Sequence, residues 1–227
     1  MLFRSLTEGT YEASRAAVDT AMTAMQFVLE GERAAYGLCR PPGHHATTSL
    51  YGGYCFFNNA AIVAHHIATT RGVKVAVLDV DYHHGNGTQE IFYDRDDVLY
   101  LSLHGDPARA YPYAIGFADE TGTGRGLGAN LNIPLPARTG DDAYMSALDT
   151  AMQKVTSFGA EVVVVSLGLD TFVTDPICDL SVTTDGFRRC GELVAQAGLP
   201  TIVLQEGGYD VANLGINAQS WLTGLGA

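Results

Sequence analysis

The chain reads as an α/β protein, a three-layer α/β/α arrangement around a mostly parallel sheet. Three observations predict this. Short runs rich in Val and Leu alternate with longer stretches whose apolar residues recur at helical spacing. Two of the runs, KVAVLDVD at 74–81 and EVVVVSL at 161–167, show little polar alternation, as strands buried on both faces do. His, Asp and Glu residues gather just after the runs, where open α/β sheets bind their ligands.

Taken in order, Tyr11 to Arg33 carries Ala17, Met22, Met25, Val28 and Leu29 on a helical pattern, with Thr10 as N-cap and Gly31 as stop. Ala34 to Cys39 is a strand that enters a loop at Pro41-Pro42-Gly43. Asn58 or Asn59 caps a helix over Ala60 to Thr70, closed by Gly72. The strand Lys74 to Asp81 follows, then a glycine-rich turn at 84–87 and a short helix around Gln89 to Phe92. Asp97 to His104 is the next strand, and Gly105 to Ala129 a long loop dense in Gly, Pro and Thr. A helix from Asp141 or Asp142 to Ser157 precedes the strand Glu161 to Leu167. The rest comprises a loop at 168–179, a helix near Gly186 to Gln196, a strand Thr201 to Gln205 and a last helix from about Val211. With no internal repeat, low-complexity segment or linker, residues 1–227 read as a single domain.

Composition narrows the function classes. Hydrophobic residues make up 47% and charged residues 17%, a globular and not a disordered balance. No apolar run approaches the roughly 20 residues needed to span a bilayer. Met1-Leu2-Phe3-Arg4 lacks the long apolar core of a signal peptide, so a cytoplasmic location and no membrane partner are expected. A net charge of -12 disfavours direct nucleic-acid binding and suits cationic ligands as well as simple solubility. Cys39, Cys55, Cys178 and Cys190 form no C-x-x-C pair and read as reduced, buried small residues.

The chemistry lies at the strand ends. Five of the seven histidines follow a strand: His44, His45, His83, His84 and His104. Asp81 and His83 are two apart on an extended segment, so their side chains share one side, with Asp79. Asp170 follows a neighbouring strand and supplies a third ligand. Two carboxylates and an imidazole suit zinc, ferrous or another divalent transition metal, and three protein ligands leave a catalytic position open. His44 and His45 follow a rigid Arg40-Pro41-Pro42-Gly43 entry and can divide acid and base roles. His65-His66 sits in a helical pattern without acidic partners and reads as packing or surface. His104 is balanced between a place near the site and a structural one. Ser49 has no nucleophile setting, which disfavours a covalent mechanism.

The runs RPPGHHA at 40–46, GGYCFFNNAA at 52–61, LDVDYHHGNGTQEIFY at 78–93, SLHGDP at 102–107, VVSLGLDTFVTDP at 164–176 and EGGYD at 206–210 resemble zinc-dependent histone deacetylases. Within that family they look most like bacterial acetylpolyamine amidohydrolases and class II-like enzymes. The resemblance runs from about Thr10 to the C-terminus and implies the arginase/deacetylase-like fold. It implies zinc on Asp81, His83 and Asp170, a catalytic pair His44 and His45, and a catalytic Tyr209. Asp79 would orient His44 and Asn86 would orient His45; Asn in place of Asp leaves His45 less basic. Potassium is implied on Asp79, Asp81, His83, Ser102 and Leu103, and a second ion on the carbonyls of Phe92, Arg95, Val98 and Ala129. Gly53, Tyr54 and Tyr111 match a narrow substrate tunnel, although the two tyrosines also fit an ordinary core.

The family normally carries a further segment ahead of Thr10, so the chain reads as N-terminally truncated. A wider mouth and a newly exposed sheet edge are expected, covered by the N-terminal residues or by a partner such as a second copy. The implied activity is deacetylation of a small cationic acetylated amine, or of an acetyl-lysine peptide. The competing readings are a short-acyl esterase on the same zinc, an inactive acetyl-amine-binding remnant, and arginase-like manganese chemistry. The last lacks the bridging carboxylates that a two-metal site needs.

Overall fold

The computed structural model describes residues 6–226; Met1–Arg4, read above for a leader, lies outside them. The chain runs α1 (Thr10–Leu29), β1 (Ala34–Gly37), α2 (Asn59–Arg71), β2 (Val75–Asp79), α3 (Asn86–Phe92), β3 (Val98–Gly105), a 3-10 turn (Gly124–Gly126), β4 (Asn130–Leu135), α4 (Asp141–Phe158), β5 (Val162–Leu167), α5 (Thr184–Ala195), β6 (Thr201–Gln205) and α6 (Leu214–Leu225). The strands form one sheet in the order β1-β6-β5-β2-β3-β4, with every pair parallel. Every residue of β2, β3, β5 and β6 is buried, as unalternating Val and Leu runs require.

Alternate strand residues feed two cores. Val75, Val77, Val164, Ile202 and Leu204 face Ala21, Met25, Val63 and Ile67 of α1 and α2. Ala76, Leu78, Val163, Val165 and Val203 face Leu148, Val155, Phe187 and Trp221 of α4, α5 and α6. Helices therefore cover both faces, which is the three-layer arrangement. No helix among the described residues is long and apolar enough to cross a membrane.

The structure corrects three expectations. Thr10 does not cap α1: Gly9 holds the cap position, and the Thr10 hydroxyl instead accepts the Thr7 amide at 2.9 Å. The last helix starts at Leu214 rather than Val211, because Asp210 turns the chain first, accepting the amides of Asn213 and Leu214 at its carbonyl. Strand β4 has no counterpart in the sequence reading. Its Asn and Pro content hides it, yet Pro134 is tolerated because β4 is the sheet edge. Other boundaries agree within a few residues, and Asn58 caps α2 by accepting the Ala61 amide at 2.9 Å.

The opposite edge is β1, four residues long, which pairs with β6 and with no other described strand. Phe27 and Leu38 lie exposed nearby. The connection after β2 runs to β3 on one side, and that after β5 runs to β6 on the other. The chain thus diverges between β2 and β5 and opens a crevice at their carboxyl ends.

Candidate active site

The crevice brings together residues from four strand ends and one helix start. Asp81 and His83 follow β2, and Asp170 follows β5. His83 Nδ1 lies 3.1 Å from Asp81 Oδ1 and 3.0 Å from Asp170 Oδ2. Ligands held tetrahedrally at zinc bond lengths stand about 3.4 Å apart, so small outward shifts would fit an ion among them. Backbone amides hold both carboxylates in place. Tyr82 donates to Asp170 Oδ1 at 2.8 Å, while His83 and Gly207 donate to the two oxygens of Asp81, each at 2.8 Å. Gly207 must be glycine: a Cβ there would stand 2.6 Å from Asp81 Oδ2 and 2.7 Å from Asp170 Oδ2.

The charge balance also fits a cation. Asp79, Asp81, Asp170 and Glu206 are all buried, and among the described residues only histidines pair with them as ions. Even with His44 and His83 protonated, two negative charges stay uncompensated, the charge of one divalent ion. The strain shows in the titration. Burial and the neighbouring Asp81 charge push Asp170 up to about 7. Burial also pushes Asp81 up, but His44 and His83 outweigh it and hold that carboxyl well below the usual range.

His44 and His45 lie beside this cage with ring centroids 4.0 Å apart. His44 Nδ1 meets Asp79 Oδ2 at 3.0 Å, and His45 Nδ1 meets Asn86 Oδ1 at 2.8 Å. Because an amide oxygen only accepts, His45 carries its proton on Nδ1 and leaves Nε2 as the basic lone pair. The two rings are driven apart in acidity. Burial lowers His44, yet Asp79, Asp81 and Glu206 outweigh it and raise it well above the ordinary value. Burial, then the His44 charge, hold His45 well below it.

Two of the three expected tunnel residues lie against His45. Tyr111 meets His45 edge-on with centroids 4.8 Å apart, and Gly53 lies so close to the His45 ring that a Cβ would overlap it. Tyr54 has a left-handed φ of 69° and its ring lies 6.3 Å from that of Tyr209. Neither Tyr54 nor Tyr111 belongs to a core cluster, so the ordinary-core alternative does not hold for them. The Tyr209 amide donates to Asp175 at 2.8 Å. Burial, then Asp81 and Asp170, push the Tyr209 phenol far up, which keeps it a proton-bearing donor. Of the residues implied for potassium, Ser102 pairs in register with Asp79, and Leu103 follows it on β3. Phe92 and Arg95 close the α3–β3 turn, Val98 opens β3 and Ala129 precedes β4.

His104 takes the structural place, bonded at Nδ1 to Ser102 Oγ and at Nε2 to the Gly116 carbonyl, each at 2.8 Å. His65 is exposed and meets Arg95 at 2.8 Å. Sequence reasoning missed three features. Glu206 holds the Gly43-His44 turn from behind. Cys178, expected to be a reduced, buried small residue, is half-buried and lies within 4.8 Å of the donor atoms of His83 and Asp170; burial, then Asp170, raise it far enough to keep it a neutral thiol. Glu120 anchors the long loop, accepting the Gly116 and Phe117 amides and the Gln89 side chain at 2.6 Å. The place of Glu206 directly after the last strand, at the head of the EGGYD run, was the signal for the first, and nothing local marked the other two.

Fold and site together define the class. The chain belongs to the histone deacetylase family, whose profile, described as Histone deacetylase domain, matches residues 4–225. Within it the chain is similar to the acetylpolyamine amidohydrolases. Acetylpolyamine amidohydrolase 1 of Pseudomonas aeruginosa is 48% identical over 219 residues, covering 96% of this chain and 63% of the relative. The Mycoplana ramosa acetylpolyamine amidohydrolase is 44% identical over 221 residues, covering 97% and 65%. A crystal structure of acetylpolyamine aminohydrolase from Burkholderia pseudomallei superposes with a TM-score of 0.93 at 47% identity, covering 97% of this chain and 64% of that one. The chain therefore spans somewhat less than two thirds of the length of these relatives.

Proposed function

We propose that the chain is a zinc-dependent hydrolase that removes acetyl groups from acetylated amines, acetylpolyamines or acetyl-lysine, with water as nucleophile. The observation that carries this is the divided histidine pair beside the Asp81, His83 and Asp170 cage. Bound zinc supplies a Lewis acid that polarises an amide carbonyl and acidifies water. His45, kept neutral with Nε2 free, takes the proton of the attacking water. His44, kept charged by Asp79, gives a proton to the leaving amine. The Tyr209 hydroxyl donates to the oxyanion as it forms. Gly53, Tyr54 and Tyr111 grip the methylene chain that leads to the acetamide.

The relatives' names and the net charge of -12 support a cationic substrate. The pairing of Asp79 with Ser102 supports a structural potassium ion on Asp79, Asp81, His83, Ser102 and Leu103. The single sheet and the matched span support one catalytic domain. The test is a zinc-loaded assay on acetylputrescine, acetylspermine and acetyl-lysine peptides, with Asp170→Ala as control. Release of acetate that the substitution abolishes is expected. An Asp170→Ala enzyme with full activity would refute the site. Turnover of an aryl acetate alone would replace the deacetylase by an esterase.

A further inference from the structure

His44 is held by hydrogen bonds from two directions, and only one of them ends on its ring. The ring is anchored by Asp79. The backbone is anchored by Glu206, which follows β6 and lies 162 residues away in sequence. Glu206 Oε2 accepts the Gly43 amide at 2.7 Å and the His44 amide at 3.2 Å. Its other oxygen accepts the Ser166 hydroxyl at 3.1 Å. Three donors and no acceptor converge on the group, the environment an ionised carboxylate fits.

The turn needs such a partner. Pro41 and Pro42 have no amide hydrogen, so Gly43 and His44 provide the first donors after them, and Glu206 takes both. On the far side of the same residue, the His44 carbonyl accepts the Gly87 and Thr88 amides of α3 at 3.1 and 3.2 Å. Both polar groups of the His44 backbone are thus fixed, one by β6 and one by α3. Glu206 is 6% exposed, and among the described residues no lysine or arginine pairs with it. Burying a carboxylate costs several kcal/mol, which the nearby charged His44 ring offsets only in part and an apolar residue at this position would avoid.

We infer that Glu206 is a positioning residue for the acetyl-amine hydrolysis: it clamps the Gly43-His44 turn from behind and so places His44, without touching ring or substrate. The inference rests on the proposed function, and its test separates the two. The test compares wild type with Glu206→Ala, Glu206→Gln and Glu206→Asp, each loaded with zinc and assayed on acetylputrescine. The Gln side chain can still accept both amides while its NH2 group donates to Ser166, so it keeps the clamp without the charge. The Asp side chain keeps charge and burial but is one methylene too short to reach both amides.

Misplacing a reacting group by about 1 Å costs on the order of 100-fold. Glu206→Ala and Glu206→Asp should therefore lower kcat by roughly 10- to 100-fold, with KM and zinc affinity within about twofold. Glu206→Gln should recover most of the loss. The amide proton of Gly43, followed by NMR without substrate, should lie far downfield in wild type and move upfield in the Ala and Asp variants. Should Glu206→Ala fail to fold, Glu206→Asp decides alone. A Glu206→Asp enzyme with wild-type kcat and an unmoved Gly43 signal would overturn the clamp. So would a fall of kcat and KM together that Gln does not rescue. A wild-type protein that deacetylates nothing would sink the functional reading only, because the Gly43 signal would still report whether Glu206 holds the turn.

Discussion

Replacing Gly207 by Ala puts one methyl group against the metal cage and changes little else. The φ of Gly207 lies outside the left-handed region, so alanine meets no backbone strain there, only the two carboxylates. A Cβ would stand 2.6 Å from Asp81 Oδ2 and 2.7 Å from Asp170 Oδ2, where ordinary contacts begin at 3.4 Å. Relief requires a displacement of about 0.7 to 0.8 Å. Metal–ligand bonds tolerate about 0.2 Å. The cage therefore cannot keep its geometry, and the Gly207 amide that holds Asp81 at 2.8 Å moves with it. Disturbing the groups that orient metal ligands lowers affinity by roughly 10- to 100-fold. That range equals about 1.4 to 2.7 kcal/mol of zinc binding. Competition against a chromophoric chelator measures it, and melting the zinc-free protein controls for folding. A zinc Kd within twofold of wild type would refute the reasoning, because it would mean that the Gly207 strand end does not border the ion.

Three further outcomes are expected. Tyr111→Ala should raise KM by about 3- to 10-fold with little change in kcat, since an edge-on aromatic wall is worth about 0.5–1.5 kcal/mol; steady-state kinetics on a linear acetylated amine reads it. Glu120→Ala removes the acceptor of the Gly116 and Phe117 amides, so residues 115–119 should exchange amide hydrogens faster while the self-closed tip and zinc affinity hold; unchanged exchange at Gly116 and Phe117 would contradict the anchoring role. Asn58→Ala loses the α2 cap and the bonds from its amide to the Ala46 carbonyl and Thr88 at 3.0 and 3.1 Å, which should cost about 2 to 3 kcal/mol in urea unfolding.

Much of the fold was legible because its signals are local. Unbroken Val and Leu runs marked β2 and β5, and Asn58 and Gly72 bounded α2. Strand β4 was not, because an edge strand can carry Pro134 and two asparagines that a central strand could not. Thr10 departs from its expected role for a related reason: its hydroxyl serves the Thr7 amide three residues back, a choice made by the path of the preceding turn. For the site, the aspartates and histidines could be picked out because each follows a strand, and strand ends converge in any parallel sheet. Glu206 clamping a turn 162 residues away, and Gly207 making room for two carboxylates, are contacts across the fold with no local pattern.

The long loop between β3 and β4 has a consequence for redesign. Glu120, His104 and Asn132 tie its returning limb to the protein at Gly116 and Phe117. The tip that carries Tyr111 is closed on itself, by Asp106 accepting the Arg109 and Ala110 amides and by the Pro107 carbonyl accepting Ala114. The root and the tip are thus separate modules. Under the proposed function, libraries that vary Pro107 to Ala114 would reshape the wall that Tyr111 sets beside His45 while the root keeps its footing, so selectivity could be varied there without disturbing Asp81, His83 and Asp170.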